Sequence, residues 1–498
     1  MRNNNLVTSS RQENHGSGHI RHSKDGIWWQ FMKSLPRSTA VLVFPVVLIV
    51  GALVYTRVLD TQSIISGGSS TKSAEISRAK GKQIEIPLNC GAYKGNGKCP
   101  ANETEYGEED PNRPSSGTCP DYFRWIHEDL RPWARTGITQ EMVERAKATA
   151  NFKLVILNGK AYLETYEKAF QTRDVFTLWG ILQLLRRYPG KVPDLEFMFD
   201  CVDWPVLLAD RYTGPNSQDP PPLFRYCVNV KPWEILLGEL KEGTMRTPWL
   251  HREPYAFWKG NPVVAETRQD LMKCNVSDKH DWNARLYAQD WGQESREGYK
   301  KSDLTNQCTH RYKVYIEGSA WSVSEKYILA CDSVTLLVKP HYYDFFTRGL
   351  IPVHHYWPIK ENDKCRSIKF SVDWGNSHME KAHQIGKAAS DFIQEELKMD
   401  YVYDYMFHLL NSYAKLFRYR PTISPNATEL CVESMVCGAE GLVKKFMMES
   451  LVKGPANTNP CTMPDPFDPA SLLEHLKRKE SSIQQVESWE KSYWEKQT

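Results

Sequence analysis

The stretch Pro193-Asp194-Leu195-Glu196-Phe197-Met198-Phe199-Asp200-Cys201-Val202-Asp203-Trp204-Pro205 leaves the chain few choices. Leu195 to Cys201, interrupted only by Glu196 and Asp200, reads as a buried strand. Pro205 cannot donate to a ladder and ends it near Trp204. Asp203 then stands just past the strand's carboxyl end, where open α/β sheets hold their ligands. From this pattern alone Asp203 is either a capping residue or a carboxylate facing a substrate.

At 498 residues the chain exceeds one ordinary domain, and its length suggests roughly two to four. A hydrophobic content of 41% supplies large cores, and a net charge of +3 without an aromatic-laced basic run excludes a nucleic-acid partner. Ser38 to Thr56 is 19 residues without a charge. At about 1.5 Å per residue it spans a thin bilayer. Arg2, Arg11, Arg21, Lys24, Lys33 and Arg37 outweigh Glu13 and Asp25 on its amino-terminal side, so this tail is expected in the cytosol. The long polar lead favours an uncleaved signal anchor over a signal peptide. All 12 cysteines lie after it, as do the glycosylation sequons at Asn102, Asn275 and Asn426. Both suit an oxidising lumen. No Cys-x-x-Cys occurs, which argues against zinc ribbons and thioredoxin-type chemistry. A short span without a Lys-Asp-Glu-Leu-type signal points to a single-pass type II protein of the Golgi membrane, the endoplasmic reticulum being second choice.

Beyond a Ser/Gly/Lys-rich stem and an irregular, disulfide-tied lead-in, Phe152 to Leu157 reads as a strand, Asn158-Gly159 as a turn and Thr172 to Tyr188 as an amphipathic helix. With the Leu195 strand this predicts a strand–helix–strand unit of a parallel sheet. A second unit runs from the strand Tyr312 to Ile316, through Gly318-Ser319 and a helix from Ser322 to Cys331, to the strand Ser333 to Val338. Its helix start either receives phosphate or is simply capped by Ser322. A third strand is expected at Leu350 to Val353. His354 and His355 then point to opposite faces and share no metal. Lys381 to Tyr419 predicts two helices broken at Met399-Asp400, and Pro469 to Thr498 a charged, peripheral helix.

Two α/β units in an anchored lumenal chain suggest a two-domain glycosyltransferase. Asp-x-Asp, the usual metal-holding motif of the single-domain class, is absent from the sequence. That favours the GT-B architecture, with two Rossmann-like domains and a helical carboxyl-terminal segment. The expected division is 1–37 cytosolic tail, 38–56 transmembrane helix, 57–118 stem and lead-in, 119–240 acceptor-side domain, 241–380 donor-side domain and 381–498 helical segment.

Four stretches carry a resemblance. They are Pro193 to Pro205, Phe257-Trp258-Lys259-Gly260-Asn261 through Arg268, Tyr312 to Ser333, and Tyr343-Asp344-Phe345-Phe346 through His355-Tyr356-Trp357-Pro358. A weaker match continues through Ile385-Gly386. In these the chain resembles the Rumi-type, capsule-associated-protein-like O-glucosyltransferases of glycosyltransferase family 90, above all their plant membrane-anchored members. The resemblance implies a metal-independent, inverting transfer from a UDP-sugar co-substrate, with no other cofactor. Asp203 takes the position of the family's general base and Arg268 that of its diphosphate-binding residue. Asn261 stands at a donor-contacting position, and Gly318, Ser319 and Ser322 at the glycine-serine turn. The chain departs from the animal members at Asn261-Pro262-Val263, and at Ser324, where they carry arginine. Lys326 is the substitute charge expected there, although lysine lacks the guanidinium fork. The acceptor is expected to be a glycoprotein or glycan hydroxyl, and the sugar glucose or xylose. A non-catalytic glycan-binding protein and a sulfotransferase are the competing readings.

Overall fold

The structure is a computed structural model that describes residues 85–93, 99–100, 114–170, 172–212, 217–225, 231–297 and 300–497. The expected cytosolic tail, the charge-free span at 38–56, and Asn102 lie outside them. Among the described residues no helix is long and apolar enough to cross a membrane.

Strands β1 (Phe152–Leu157) and β2 (Lys160–Thr165) form a hairpin whose ends pair at Leu157 and Lys160. Its turn is Asn158-Gly159, with φ of 50° and 73°. A two-residue turn of this twist needs positive φ at both positions, which asparagine and glycine tolerate. The helix Arg173–Arg187 follows, then β3 (Leu195–Asp200) and β4 (Leu223–Arg225). β3 pairs antiparallel with β1 and parallel with β4. The parallel unit expected here is therefore corrected. β2 reverses the chain before the helix begins, and with only Ala161 buried it lacks the apolar run that marks a strand. Its outer edge is covered by β10 (Thr428–Leu430), giving the order β10-β2-β1-β3-β4.

The second sheet contains β5 (Glu253–Gly260), β6 (Ala284–Ala288), β7 (His310–Tyr315), β8 (Val334–Val338) and β9 (Trp357–Ile359). It is parallel throughout, in the order β6-β5-β7-β8-β9. Such a sheet is covered on both faces, and every residue of β8 is buried. The strand expected at Leu350 to Val353 is instead a turn. Val353 adopts φ 63° and its N–H donates to the Tyr356 carbonyl at 2.7 Å. The third strand is β9, a few residues later.

Two helices, Met379–Glu396 and Met399–Ala414, break close to the expected position. The first packs on β8, and the second on Trp125–Leu130 and Arg173–Arg187 beside the first sheet. The carboxyl-terminal helix Pro469–Glu495 is not peripheral, which corrects the charge-based expectation. Glu490 is buried and accepts from Ser367 at 3.0 Å, Trp489 stacks against Trp374, and Tyr493 donates to Asp373. Its exposed charged face hid the few positions that pack. Among the described residues five disulfides join Cys90–Cys437, Cys99–Cys431, Cys119–Cys461, Cys274–Cys365 and Cys308–Cys331, while Cys201 is a buried thiol.

Gly386 shows why the Ile385-Gly386 pair matters. A Cβ there would lie 2.0 Å from the Asp332 carbonyl oxygen, a backbone atom that cannot swing aside. Overpacking of this kind costs about 1–3 kcal/mol, partly offset by the ~1 kcal/mol that alanine gains in helix propensity. Gly386→Ala is therefore expected to lower the urea midpoint with an unchanged slope. An unchanged midpoint would contradict the close approach.

Candidate active site

The loop leaving β3 is braced from both sides. Asp200, fully buried, accepts from the Val202 N–H at 2.9 Å and lies 3.7 Å from Arg225 on β4. Arg225 also donates to the Val202 carbonyl. From the first turn of the preceding helix, Arg173 donates to the Cys201 carbonyl at 2.8 Å. The same guanidinium meets both oxygens of Asp203, each at 2.9 Å. A two-pronged contact fixes direction as well as charge. The Asp203 side chain remains 55% exposed, with Trp204 and Pro205 beyond it.

Glu196, the other acid of β3, has a structural role. It is buried, 2.7 Å from Lys153 of β1, and accepts from the Tyr419 hydroxyl at 2.6 Å. Removing either partner would strand a buried charge.

In the second sheet, Asn261, Arg268, Gly318 and Ser319 come together at the carboxyl ends of the neighbouring strands β5 and β7. Arg268, from the helix Glu266–Met272, donates to the carbonyls of Glu317 at 2.8 Å, Ile316 at 3.2 Å and Asn261 at 3.3 Å. Burial lowers its proton affinity. A Cβ on Gly318 would come within 3.3 Å of Arg268, so glycine permits this approach. The Asn261 side chain accepts from the Val263 N–H at 3.1 Å, capping the short turn Pro262–Val264. The helix expected from Ser322 runs only over Ser324–Leu329, without a side-chain cap. The Ser322 N–H donates to the Tyr315 hydroxyl at 3.0 Å and its Oγ lies 2.9 Å from that of Ser324. Lys326 sits elsewhere, buried 5.6 Å from the Trp233 ring centroid.

A cavity of about 1300 Å³ has walls from both sheet regions, including Phe199 and Arg225 on one side and Trp321, Lys326, His341 and Tyr343 on the other. Of the expected site residues only Lys326 lines it. Asp203, Asn261, Arg268, Gly318, Ser319 and Ser322 do not, so this cavity and the expected chemistry coincide only in part.

Arg173 and Arg225 carry no signal in the sequence, because their partners lie 30 and 23 residues away. Glu317 was also missed. It accepts from the His341 and Tyr342 N–H groups at 2.9 and 2.7 Å, holding the loop after β8 against the end of β7. Among the described residues the one His/Cys/Asp/Glu group close enough for a metal is Cys119, His408 and Cys461, whose cysteines are joined in a disulfide. Of the sequons, Asn426 is exposed. The Asn275 amide is engaged by the Leu286 backbone, at 2.9 and 3.1 Å.

Two sheets, one mixed and one parallel, with arginine-held loops at their strand ends define an α/β protein. Residues 114–229 and 228–490 match Glycosyl transferase family 90. The chain is 25% identical to protein O-glucosyltransferase 2 of Danio rerio over 332 residues, 61% of this chain and 64% of that protein. It is 23% identical to protein O-glucosyltransferase 1 of Bos taurus over 348 residues, 62% and 83% of the two chains. Against the O-glucosyltransferase rumi homolog of Anopheles gambiae the identity is 22% over 335 residues, 61% and 81% of the two chains. The zebrafish relative is thus matched over slightly less than two thirds of its length. With most of the folded chain matched, the protein belongs to glycosyltransferase family 90.

Glu325 gives this region a pH dependence. Burial pushes its carboxyl up to about 8 from 4.5, while Thr347 donates to it at 2.8 Å. A carboxyl raised in the folded state stabilises the fold at low pH. That contribution declines as pH rises from 4.5 through about 8. Glu325→Gln is expected to melt close to the wild type near pH 5 and increasingly above it as pH approaches 8. A gap that does not widen with pH would refute the assignment.

Proposed function

We propose that the chain transfers a sugar, glucose or xylose, from a UDP-sugar to a hydroxyl of a glycoprotein or glycan, with inversion and without a required metal. The observation that carries the reading is Asp203, a half-exposed carboxylate aimed by Arg173 just past the carboxyl end of β3. In a single displacement, Asp203 takes the proton of the acceptor hydroxyl as its oxygen bonds to the anomeric carbon. The bond from that carbon to the diphosphate breaks, and UDP leaves with the electron pair. Arg268 is a desolvated cation among backbone carbonyls, suited to bind the leaving diphosphate. Asn261, Gly318, Ser319 and Ser322 border the same strand ends, and Lys326 supplies charge from the cavity wall.

The parallel second sheet supports a GT-B reading with donor binding on that side, the mixed first sheet providing the acceptor side. The five disulfides suit a secretory lumen. Golgi residence, the plant membrane-anchored type and a type II anchor at 38–56 complete the proposal on the strength of the sequence. A non-catalytic glycan-binding protein is favoured only by Ser324, which pairs with Ser322 where the animal members carry arginine.

UDP release from UDP-glucose, UDP-xylose and UDP-galactose, measured with and without acceptor, tests the reading. Asp203→Asn is expected to slow transfer by about 10²–10⁴-fold, the usual worth of a positioned base. Unchanged turnover would remove Asp203 from that role. Arg268→Lys, which keeps charge but loses the fork, is expected to raise the donor KM or lower kcat in a protein that melts normally. Chelator is expected to leave the rate unchanged; loss restored by manganese would reverse the metal-independent assignment.

A further inference from the structure

The surface around Asp203 carries more apolar area than a loop holding a charged pair requires. Phe170 is 66% exposed and Trp204 58%. The Phe170 ring lies over the Arg173 guanidinium, 5.2 Å from centroid to Cζ, and that guanidinium grips both oxygens of Asp203. Ring, cation and carboxylate are therefore one contiguous unit. Trp204 follows the carboxylate directly, with Leu208 also exposed nearby in the chain. Exposed apolar patches rimmed by charge mark binding surfaces.

The chemistry of this unit selects among ligands. A pyranose has C–H groups on its faces and hydroxyls around its equator. An aromatic face, negative at its centre, suits the first, and a planar carboxylate–guanidinium pair suits the second. A polypeptide acceptor would more naturally bind by adding a strand to a sheet edge. Residues 201–208 form no strand.

We propose that Phe170, Trp204 and the Arg173–Asp203 pair form an acceptor subsite for a sugar ring. The acceptor is then the hydroxyl of a glycan residue rather than a serine or threonine side chain. This rests on the reading of Asp203 as the base. The stacked ring presents an equatorial hydroxyl to the carboxylate, which takes its proton as the glycosidic bond forms and UDP departs. Arg173 is a positioning residue, acting through Asp203.

The test uses the full chain in detergent, with a UDP-sugar it turns over and two acceptor sets. One set is the methyl glycosides of glucose, xylose, galactose and galacturonate, with their di- and trisaccharides. The other is a disulfide-bonded polypeptide module bearing serine. Transfer to the glycosides is expected. Trp204→Ala and Phe170→Ala should each raise the acceptor KM about three- to tenfold, the worth of one aromatic contact, leaving the donor KM unaltered. Both side chains are exposed, so neither change should impair folding. Transfer confined to the polypeptide, or an acceptor KM indifferent to both substitutions, would overturn the subsite while leaving the base reading intact if Asp203→Asn still slows turnover as expected. Full turnover by Asp203→Asn would overturn both.

Discussion

Three covalent cross-links set the path of the whole chain. Cys90, Cys99 and Cys119 are joined to Cys437, Cys431 and Cys461 across 347, 332 and 342 residues. Everything that builds the two sheets lies inside these loops. The chain must therefore leave the first sheet, build the second, and return to lay β10 on the edge of β2. Loop-closure arguments assign such long bridges a large effect on the unfolded ensemble, about 4–5 kcal/mol for a single long loop. They also make the first sheet a composite of sequence-distant segments, so its order does not follow the order of the chain.

That composite character explains what was legible in the sequence. β3 and β8 are buried runs and stood out as such, while β7 stood out by its alternation. The Asn158-Gly159 turn was legible because its residues tolerate positive φ. β2 was not, since a strand with one buried residue resembles a loop. Without it the antiparallel pairing of β1 and β3 could not be inferred. Near the candidate site, the amino-terminal side of Asp203 was readable as a strand end. Its partner Arg173 was not, because nothing in an amphipathic helix distinguishes an arginine that turns toward a distant loop. Arg268 and Gly318 entered through motif resemblance, and their proximity gives that resemblance a geometric content.

Buried charge is the recurrent cost of this architecture, and it is handled in two ways. Glu196 is met by Lys153 and the Tyr419 hydroxyl. Glu325 and Asp344 have carboxyls raised by burial, beside Lys326 and Thr347. Asp344 lines the cavity, whereas Glu325 does not.

The last helix has a mechanical consequence. Near its start His475 packs edge-on against Trp125, and Lys479 holds the Arg348 carbonyl at 2.6 Å. Toward its end Val486, Glu490 and Tyr493 are seated on the second sheet's covering helix and strands. One rigid rod of 27 residues thus touches both halves of the molecule. The halves cannot draw apart along its axis without breaking one set of contacts.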